Sequence, residues 1–201
     1  MKRILITGGP TNEYIDEVMK ITNMSTGSLA LDLAKCASDA GCSVTLIATA
    51  SVAGTARFVQ HALDTDPAVH TVSIETTQDM YDALKAAAEE PKPYDVVIHT
   101  AAVGDYTPEF TFRLEDLARS LAHVACENRD TDEERLAETF LQIAADPPYR
   151  VDDDSKISSY EPHLTLKLTL TQKLIAQLRG WFPDAVLLGS KLLENVSKQH
   201  L

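Results

Sequence analysis

Short apolar runs typical of buried β-strands recur along the chain, and stretches with the apolar spacing of helices separate them. The predicted strands cover residues 3–7, 43–48, 69–74, 94–100, 164–170 and 185–189. The predicted helices that alternate with them cover residues 27–40, 77–90 and 171–180. Strands that alternate with helices predict an α/β fold of three layers with a mainly parallel sheet.

The first of these helices has sequence signals at both ends. We expect Ser25 or Thr26 to cap its start, and Gly41 to end it in the left-handed conformation. Helical spacing predicts an apolar face made of Leu29, Ala30, Leu33, Ala34 and Ala37. Residues 8–26 are polar and irregular, so a long loop should connect the first strand to this helix.

The segment 109–153 is charged and mostly helical in pattern, although its early part also fits a loop. Two predicted helices carry their apolar positions at Leu114, Leu117 and Leu121, and at Leu136, Phe140 and Ile143. We interpret the segment as an insertion into a single domain of residues 1–201, packed on the sheet or on a second subunit.

The amino-acid composition limits which binding partners and which cellular compartment we expect. The chain has 201 residues, and 18 Lys and Arg against 30 Asp and Glu give a net charge of −12. This acidic balance argues against binding to duplex nucleic acid or to an anionic membrane surface. The three cysteines lack C-x-x-C spacing, which favours a reducing cytosol. Since the apolar runs are too short for a signal peptide or a membrane span, we expect a cytoplasmic protein.

Ligands of such folds bind beyond the carboxyl ends of the parallel strands. The loops expected there are residues 8–27, residues 101–108 and the segment from Gly189 onward. In the first loop, Gly8 and Gly9 permit a close backbone approach, and NMSTG (residues 23–27) offers donors at a helix start. This arrangement fits a phosphate-sized anion, and it also fits a simple glycine turn followed by an ordinary helix cap.

Other catalytic motifs fit poorly. The dinucleotide fingerprint G-x-G-x-x-G is absent between the first strand and helix, and so is a Gly-Lys-Ser/Thr phosphate loop. Tyr81 and Lys85 have the Y-x-x-x-K spacing of short-chain dehydrogenases, which on a helix only places two side chains one turn apart. The acidic run 152–154 reads as a solvated loop rather than a cation site, and the scattered histidines predict no metal cluster. A G-x-S-x-G elbow is also absent, which weakens a hydrolase reading.

Three blocks of sequence resemble, in order and spacing, the phosphopantothenate–cysteine ligases (phosphopantothenoylcysteine synthetases) of coenzyme A biosynthesis. They are ITGGPTNEYID with ITNMSTG (residues 6–16 and 21–27), AAVGDYTP (101–108), and KISS with LLGSKLL (156–159 and 187–193). The last block is most similar to the stand-alone ligases of streptococci and their relatives. The resemblance implies a Rossmann-like fold and a homodimer.

The resemblance also implies a reaction in two steps. A nucleoside triphosphate, CTP with Mg²⁺ in bacterial members and ATP as the alternative, activates the carboxylate of 4′-phosphopantothenate, and the amine of cysteine then displaces the nucleotide. Asn23 matches the family asparagine that hydrogen-bonds the acyl intermediate, a donor whose loss typically costs ~3 kcal/mol of barrier. The implied substrate and nucleotide contacts are Gly8, Gly9, Thr11, Ser25, Thr26, Gly27, Ala101, Ala102, Val103, Asp105, Lys156, Gly189 and Lys191.

The chain departs from the family pattern at several positions. Met19 replaces a common arginine, Met24 a common basic residue, and Ser190 a common aromatic residue. The chain also ends at Leu201, before the lysine-bearing loop that covers the nucleotide in the family. We therefore expect these 201 residues to turn over weakly or not at all, while substrate binding survives.

Two further function classes stay open from sequence. One is a catalytically inactive phosphate- or nucleotide-binding protein of the same fold, favoured by the missing lysine loop. The other is an NAD(P)-dependent reductase, disfavoured by the missing glycine fingerprint.

Overall fold

The computed structural model describes residues 1–50, 68–128, 132–151 and 156–190. The chain divides into two compact units. Unit 1 comprises Met1–Glu13, Thr22–Asp105 and Thr171–Leu201. Unit 2 comprises Tyr14–Ile21 and Tyr106–Leu170, so it includes the predicted insertion.

The secondary structure is largely that predicted from the sequence. The strands are β1 (Arg3–Gly8), β2 (Asn12–Tyr14), β3 (Lys20–Thr22), β4 (Ser43–Thr49), β5 (Val69–Ile74), β6 (Val96–His99), β7 (Tyr106–Arg113), β8 (Leu164–Leu170) and β9 (Val186–Gly189). The helices are α1 (Ser28–Asp39), α2 (Thr77–Ala88), α3 (Leu114–Glu127), α4 (Glu133–Ala145) and α5 (Leu174–Trp181).

Unit 1 is built on a five-stranded sheet in the order β5-β4-β1-β6-β9. Every neighbouring pair in this sheet is parallel. Successive residues of a strand face opposite sides, and β1 accordingly sends Leu5 into one apolar core and Ile6 into the other. The core around Leu5 is covered by α2 and α5, and the core around Ile6 by α1. The prediction of a three-layer α/β fold is thus confirmed.

Helix α1 differs in detail from its prediction. Its cap is Gly27, in the left-handed conformation with φ 70°, rather than the predicted Ser25 or Thr26. Its buried face is Ala30, Leu31 and Ala34, whereas the predicted face member Leu29 is 54% exposed. Gly41 follows the helix with φ 77°, as predicted. Ala30 on α1 packs closely against Gly8 on β1, and this contact sets which face of the helix is buried.

Unit 2 contains more strand than the sequence indicated. The start of the predicted helical insertion is strand β7, which pairs antiparallel with β8 and so places β8 outside the parallel sheet. Phe110 and Phe112 on β7 are buried, and α3 and α4 follow as predicted. The polar loop predicted for residues 8–26 likewise holds the short paired strands β2 and β3. These short strands were missed because only a partner strand makes them regular.

Candidate functional site

Two of the three predicted ligand loops, those that follow β1 and β6, meet at the carboxyl end of the sheet in unit 1. From β1 the chain moves outward to β4 and β5, whereas β6 and β9 lie on the other side of β1, so the strand order reverses between β1 and β6. Such a reversal opens a crevice at the carboxyl ends of the strands. Here the backbone N–H of Ala102 donates to Gly9 O at 2.9 Å, and that of Thr11 donates to Ala102 O at 3.3 Å. The loops after β1 and β6 are therefore tied together at this point.

Glycines let helix α1 approach this crevice closely. A Cβ atom on Gly8 would lie only 2.1 Å from Ala30 Cβ, so no larger residue fits between β1 and α1. Gly9 and Gly27 have φ 79° and 70°, a conformation that favours glycine. The N-cap residue Gly27 makes no side-chain cap hydrogen bond, and the start of a helix suits an anion.

Asn23 lies in the loop that leads to this helix. Its side-chain nitrogen donates to Ala102 O at 3.0 Å, which fixes the orientation of the amide group. The nitrogen carries a second hydrogen, and the side chain as a whole is exposed. Asn23 is thus held at the junction of the two loops with donor capacity left for a ligand.

The neighbouring predicted contacts have distinct surroundings. Ser25 Oγ accepts from Gly27 N–H and Thr26 Oγ1 from Ser28 N–H, each at 3.4 Å, so both hydroxyls lie at the start of α1. The side chains of Ala101 and Val103 pack against the apolar core, so these two residues present mainly their backbone to the crevice. Gly189 pairs with His99 at the end of β9, next to β6.

The loop after β6 is anchored by the predicted contacts Thr11 and Asp105, and by Thr171 and Lys173, which were not predicted. Gly104 N–H donates to Thr11 Oγ1 at 2.8 Å, and Thr171 Oγ1 donates to Gly104 O at 2.5 Å. Asp105 pairs with Lys173 at 2.5 Å. Thr11 itself is 1% exposed, so its side chain acts inside this network. Only the fold brings Thr11, Thr171 and Gly104 together, and no sequence spacing signals it.

A buried histidine lies beneath the crevice. His99 Nδ1 is 2.7 Å from Thr7 Oγ1, and both residues are buried at the ends of adjacent strands. Burial lowers the pKa of His99 to about 4, so the ring is neutral at physiological pH. The signal that the sequence offered was a histidine inside an otherwise apolar strand.

Comparison with known proteins identifies the family. The family model of the DNA/pantothenate metabolism flavoprotein C-terminal domain matches residues 1–114 of the chain. The chain belongs to this family. The DNA/pantothenate metabolism flavoprotein of Streptococcus pneumoniae is 30% identical, and its crystal structure matches with a TM-score of 0.71, covering 100% of this chain and 74% of that one. This match confirms the Rossmann-like fold and the predicted family resemblance.

Curated relatives of the family are longer proteins. The coenzyme A biosynthesis bifunctional protein CoaBC of Vibrio vulnificus is 41% identical over 107 residues, 53% of this chain and 23% of that protein. The CoaBC protein of Thermococcus kodakarensis is 30% identical over 200 residues, 100% of this chain and 36% of that protein. The chain therefore spans about a quarter to a third of these relatives. A Cab2 mutant in complex with phosphopantothenate-cysteine shares the fold, with a TM-score of 0.52 and 14% identity over 92% of this chain and 62% of that one.

The family lysine Lys156 lies in unit 2, beside a cavity of about 390 Å³. Ser158, Ser159, Asp16 and Met19, the last of which replaces the common arginine, also line this cavity. Lys191, the other predicted lysine contact, and the acidic run 152–154 lie outside the described residues.

The Asp16 carboxylate connects two segments of the chain that line this cavity. Its Oδ1 accepts from the N–H groups of Val18 and Met19 at 2.7 and 2.6 Å, and its Oδ2 accepts from Ile157 N–H at 2.9 Å. These backbone hydrogen bonds, first that of Met19 and then that of Ile157, hold the pKa of Asp16 below its usual value of 3.8. The carboxylate thereby fixes the residue before Ile157, which is Lys156.

Replacing Asp16 by asparagine should make the folding stability of the protein vary less with pH. Because the folded pKa is lowered, the charged carboxylate stabilises the fold above its unfolded pKa, and this contribution is lost as pH falls through the folded value. We expect wild type to melt at a higher temperature than Asp16→Asn at pH 7, and the gap to narrow below about pH 4. Melting curves of both proteins between pH 3 and 7 test this, and a gap that stays constant contradicts it.

The part of the chain that the structure describes contains no preformed set of side-chain ligands for the Mg²⁺ expected from the family resemblance. Within those ranges, no three His, Cys, Asp or Glu side chains are grouped to share a metal ion. Mg²⁺ is commonly held by substrate phosphates with only one or two protein carboxylates.

Proposed function

We propose that the chain acts in coenzyme A biosynthesis as a phosphopantothenate–cysteine ligase. The carboxylate of 4′-phosphopantothenate attacks the α-phosphorus of a nucleoside triphosphate, which forms an acyl-nucleotidylate and releases pyrophosphate. The amine of cysteine then attacks the acyl carbon, the nucleoside monophosphate leaves, and an amide forms. Support comes from the family membership, from the names of the CoaBC relatives and from the fold shared with the Cab2 complex.

The position of the Asn23 side chain is the observation that carries this proposal. Its amide is fixed by Ala102 O at the junction of the two loops, in the segment that leads to the start of α1. A substrate phosphate on the helix start would leave the acyl group within reach of the Asn23 amide, which donates to the oxygen that gains negative charge. The site thus separates anion binding from stabilisation of the reacting carbonyl.

Gly9 and Gly27 supply the backbone conformation that this binding needs, and Gly8 lets α1 sit close enough to deliver its N–H groups. The segment after Gly189 is proposed to receive the nucleotide. We propose CTP as that nucleotide, with ATP as the alternative, and Mg²⁺ as the ion that accompanies its phosphates. The metal would neutralise phosphate charge, while the protein residues orient the acyl group.

The proposal is tested by following the amide product. The full chain is incubated with 4′-phosphopantothenate, cysteine, Mg²⁺ and either CTP or ATP, and phosphopantothenoylcysteine is measured by mass spectrometry. Product that requires the nucleotide supports the ligase, and the ratio between CTP and ATP identifies the nucleotide. Phosphopantothenate binding without product from either nucleotide would instead support a binding protein of this fold.

The proposed compartment is the reducing cytosol. All three cysteines lie within the described residues, where Cys36 and Cys126 are exposed thiols and Cys42 is partly buried. Among the described helices, none is both long and apolar enough to cross a membrane.

We also propose that the chain forms a homodimer through the β7–β8 sheet, as the family resemblance implies. Tyr106 pairs with Leu170, and Pro108 pairs with Leu168, so all four lie on one face. Tyr106, Leu168 and Leu170 are 52%, 41% and 67% exposed on this face. The resemblance implies only a homodimer, and we propose a second copy of the same apolar face as the occupant because these side chains are exposed.

Leu170→Lys should weaken this dimer by about tenfold or more in dissociation constant, because it places a charge in an apolar contact. Thr169→Lys is the matched control, since Thr169 is also exposed but lies on the opposite face of β8. Light scattering after size exclusion, over a range of concentrations, measures both variants. A wild-type monomer, or an equal effect of the two lysines, contradicts the proposed face.

A further inference from the structure

We infer that Thr77 and Glu13 are positioning residues for Asn23, acting through a buried chain of hydrogen bonds. The inference rests on the proposed function, in which Asn23 touches the reacting acyl group. Neither residue lies in the crevice, and neither was selected from the sequence.

The chain of hydrogen bonds starts at a buried carboxylate. Glu13 Oε1 accepts from the Thr77 hydroxyl at 2.6 Å and from the Thr77 N–H at 3.1 Å. Thr77 Oγ1 is also 2.9 Å from Thr11 Oγ1. These three residues are 5%, 5% and 1% exposed. This series of hydrogen bonds therefore lies in the interior of unit 1, shielded from water.

The Thr77 hydroxyl connects Glu13 to the loop after β6. Thr77 Oγ1 donates toward Glu13 Oε1 at 2.6 Å and toward Thr11 Oγ1 at 2.9 Å, so its one proton is shared between two acceptors. Thr11 Oγ1 also accepts from Gly104 N–H at 2.8 Å. Gly104 is thereby held by its N–H in addition to its carbonyl, which Thr171 binds.

The same threonine links the chain to Asn23. Ala102 O accepts two hydrogen bonds, one from the backbone N–H of Thr11 at 3.3 Å and one from the Asn23 amide at 3.0 Å. Thr11 therefore fixes the loop after β6 at two points, through its side chain at Gly104 and through its backbone at Ala102. A shift of Thr11 moves the acceptor that orients the Asn23 amide.

Helix capping accounts for the contact of Glu13 with the Thr77 N–H, a free donor at the helix start, but not for its contact with the Thr77 hydroxyl. Helix α2 already has a complete capping box, in which Thr76 Oγ1 accepts from Asp79 N–H and the Asp79 side chain accepts from Thr76 N–H. Burying the carboxylate of Glu13 against Thr77 costs desolvation free energy that a second cap does not require. The geometry points instead to a role in fixing the two loops.

Matched variants separate these roles. Thr77→Val removes the hydroxyl at nearly constant volume, and Thr77→Ser keeps the hydroxyl. Thr76→Ala removes the N-cap hydroxyl of the same helix and leaves the hydrogen bonds among Glu13, Thr77 and Thr11 in place. The readouts are amide exchange at Gly104, kcat and KM for 4′-phosphopantothenate, and melting temperature.

We expect Thr77→Val to speed exchange at Gly104 about five- to tenfold, and to lower kcat about tenfold with little change in KM. Thr77→Ser should stay within about twofold of wild type in exchange and in kcat. Thr76→Ala should lower the melting temperature while leaving Gly104 exchange and kcat near wild type. This split between neighbouring threonines would not arise from a general loss of helix stability.

Unchanged Gly104 exchange in Thr77→Val would overturn the inference, and so would the same changes in Thr76→Ala as in Thr77→Val. Faster exchange at Gly104 with unchanged kcat would also overturn it, since the loop would move without affecting catalysis. If wild type makes no amide product, the proposed ligase fails separately, and exchange at Gly104 still decides whether Thr77 holds the loop.

Discussion

Asn23→Ala is expected to lower kcat for amide formation about a hundredfold, equivalent to ~3 kcal/mol of lost transition-state stabilisation. The variant removes the donor that we propose for the acyl oxygen, whereas the helix start that we propose for the substrate phosphate stays intact. Binding of 4′-phosphopantothenate, measured by calorimetry, should therefore change little. A donor that acts only on the transition state lowers kcat while leaving ground-state affinity in place.

Asn128→Ala is the matched control for this variant. Its side-chain nitrogen donates to Val124 O at 2.9 Å, a contact of the same kind as that of Asn23, but at the end of α3 in unit 2. We expect Asn128→Ala to leave kcat near wild type. Equal activity of Asn23→Ala and wild type would contradict the assigned role, and a parallel loss of substrate affinity would make Asn23 a binding residue instead.

Gly8→Ala is expected to destabilise unit 1 by about 2 kcal/mol, because the added methyl group overpacks a close contact. The new Cβ would lie 2.1 Å from Ala30 Cβ, and Ala30 is on a rigid helix that must move outward. The same movement displaces the start of α1, so affinity for 4′-phosphopantothenate should fall together with stability. Urea unfolding and calorimetry measure the two effects on the same protein.

The double variant Gly8→Ala/Ala30→Gly tests the cause of this loss. Removing the Ala30 methyl leaves the Cα at 3.6 Å from the new Cβ, an ordinary contact, so substrate affinity should return toward wild type. Gly180→Ala is the control, as a Cβ there meets no atom within 4 Å. Alanine in that helix should be neutral or slightly stabilising. Wild-type stability of Gly8→Ala would contradict the close packing of α1.

The regular elements could be predicted because their periodicity is local. The strand at Val69–Ile74 and the strand at Leu164–Leu170 have the predicted bounds, since alternation of apolar residues needs no partner to be visible. Strand β7 was hidden because Phe110 and Phe112 are buried only once β8 pairs beside them, more than 50 residues along the chain. Its proline and charged residues made it read as part of a helical insertion.

The site could be predicted in part, for similar reasons. The glycines and Asn23 stand in one recognisable sequence block that follows the first strand. Thr11 and Glu13, which help to anchor the second loop, stand in the same block, but Thr77 is 64 residues beyond Glu13 and meets it only through the fold. The cap of α1 was misassigned because the contact between Gly8 and Ala30, rather than the hydroxyl side chains, fixes where that helix begins.

The most direct test of the account is pyrophosphate release under single-turnover conditions, with the full chain in excess over 4′-phosphopantothenate and with CTP and Mg²⁺ but no cysteine. Carboxylate activation predicts slow release that requires 4′-phosphopantothenate, with the same reaction in ATP run in parallel. Release that is equal with and without 4′-phosphopantothenate, from protein shown to be folded by circular dichroism, would contradict the proposed ligase.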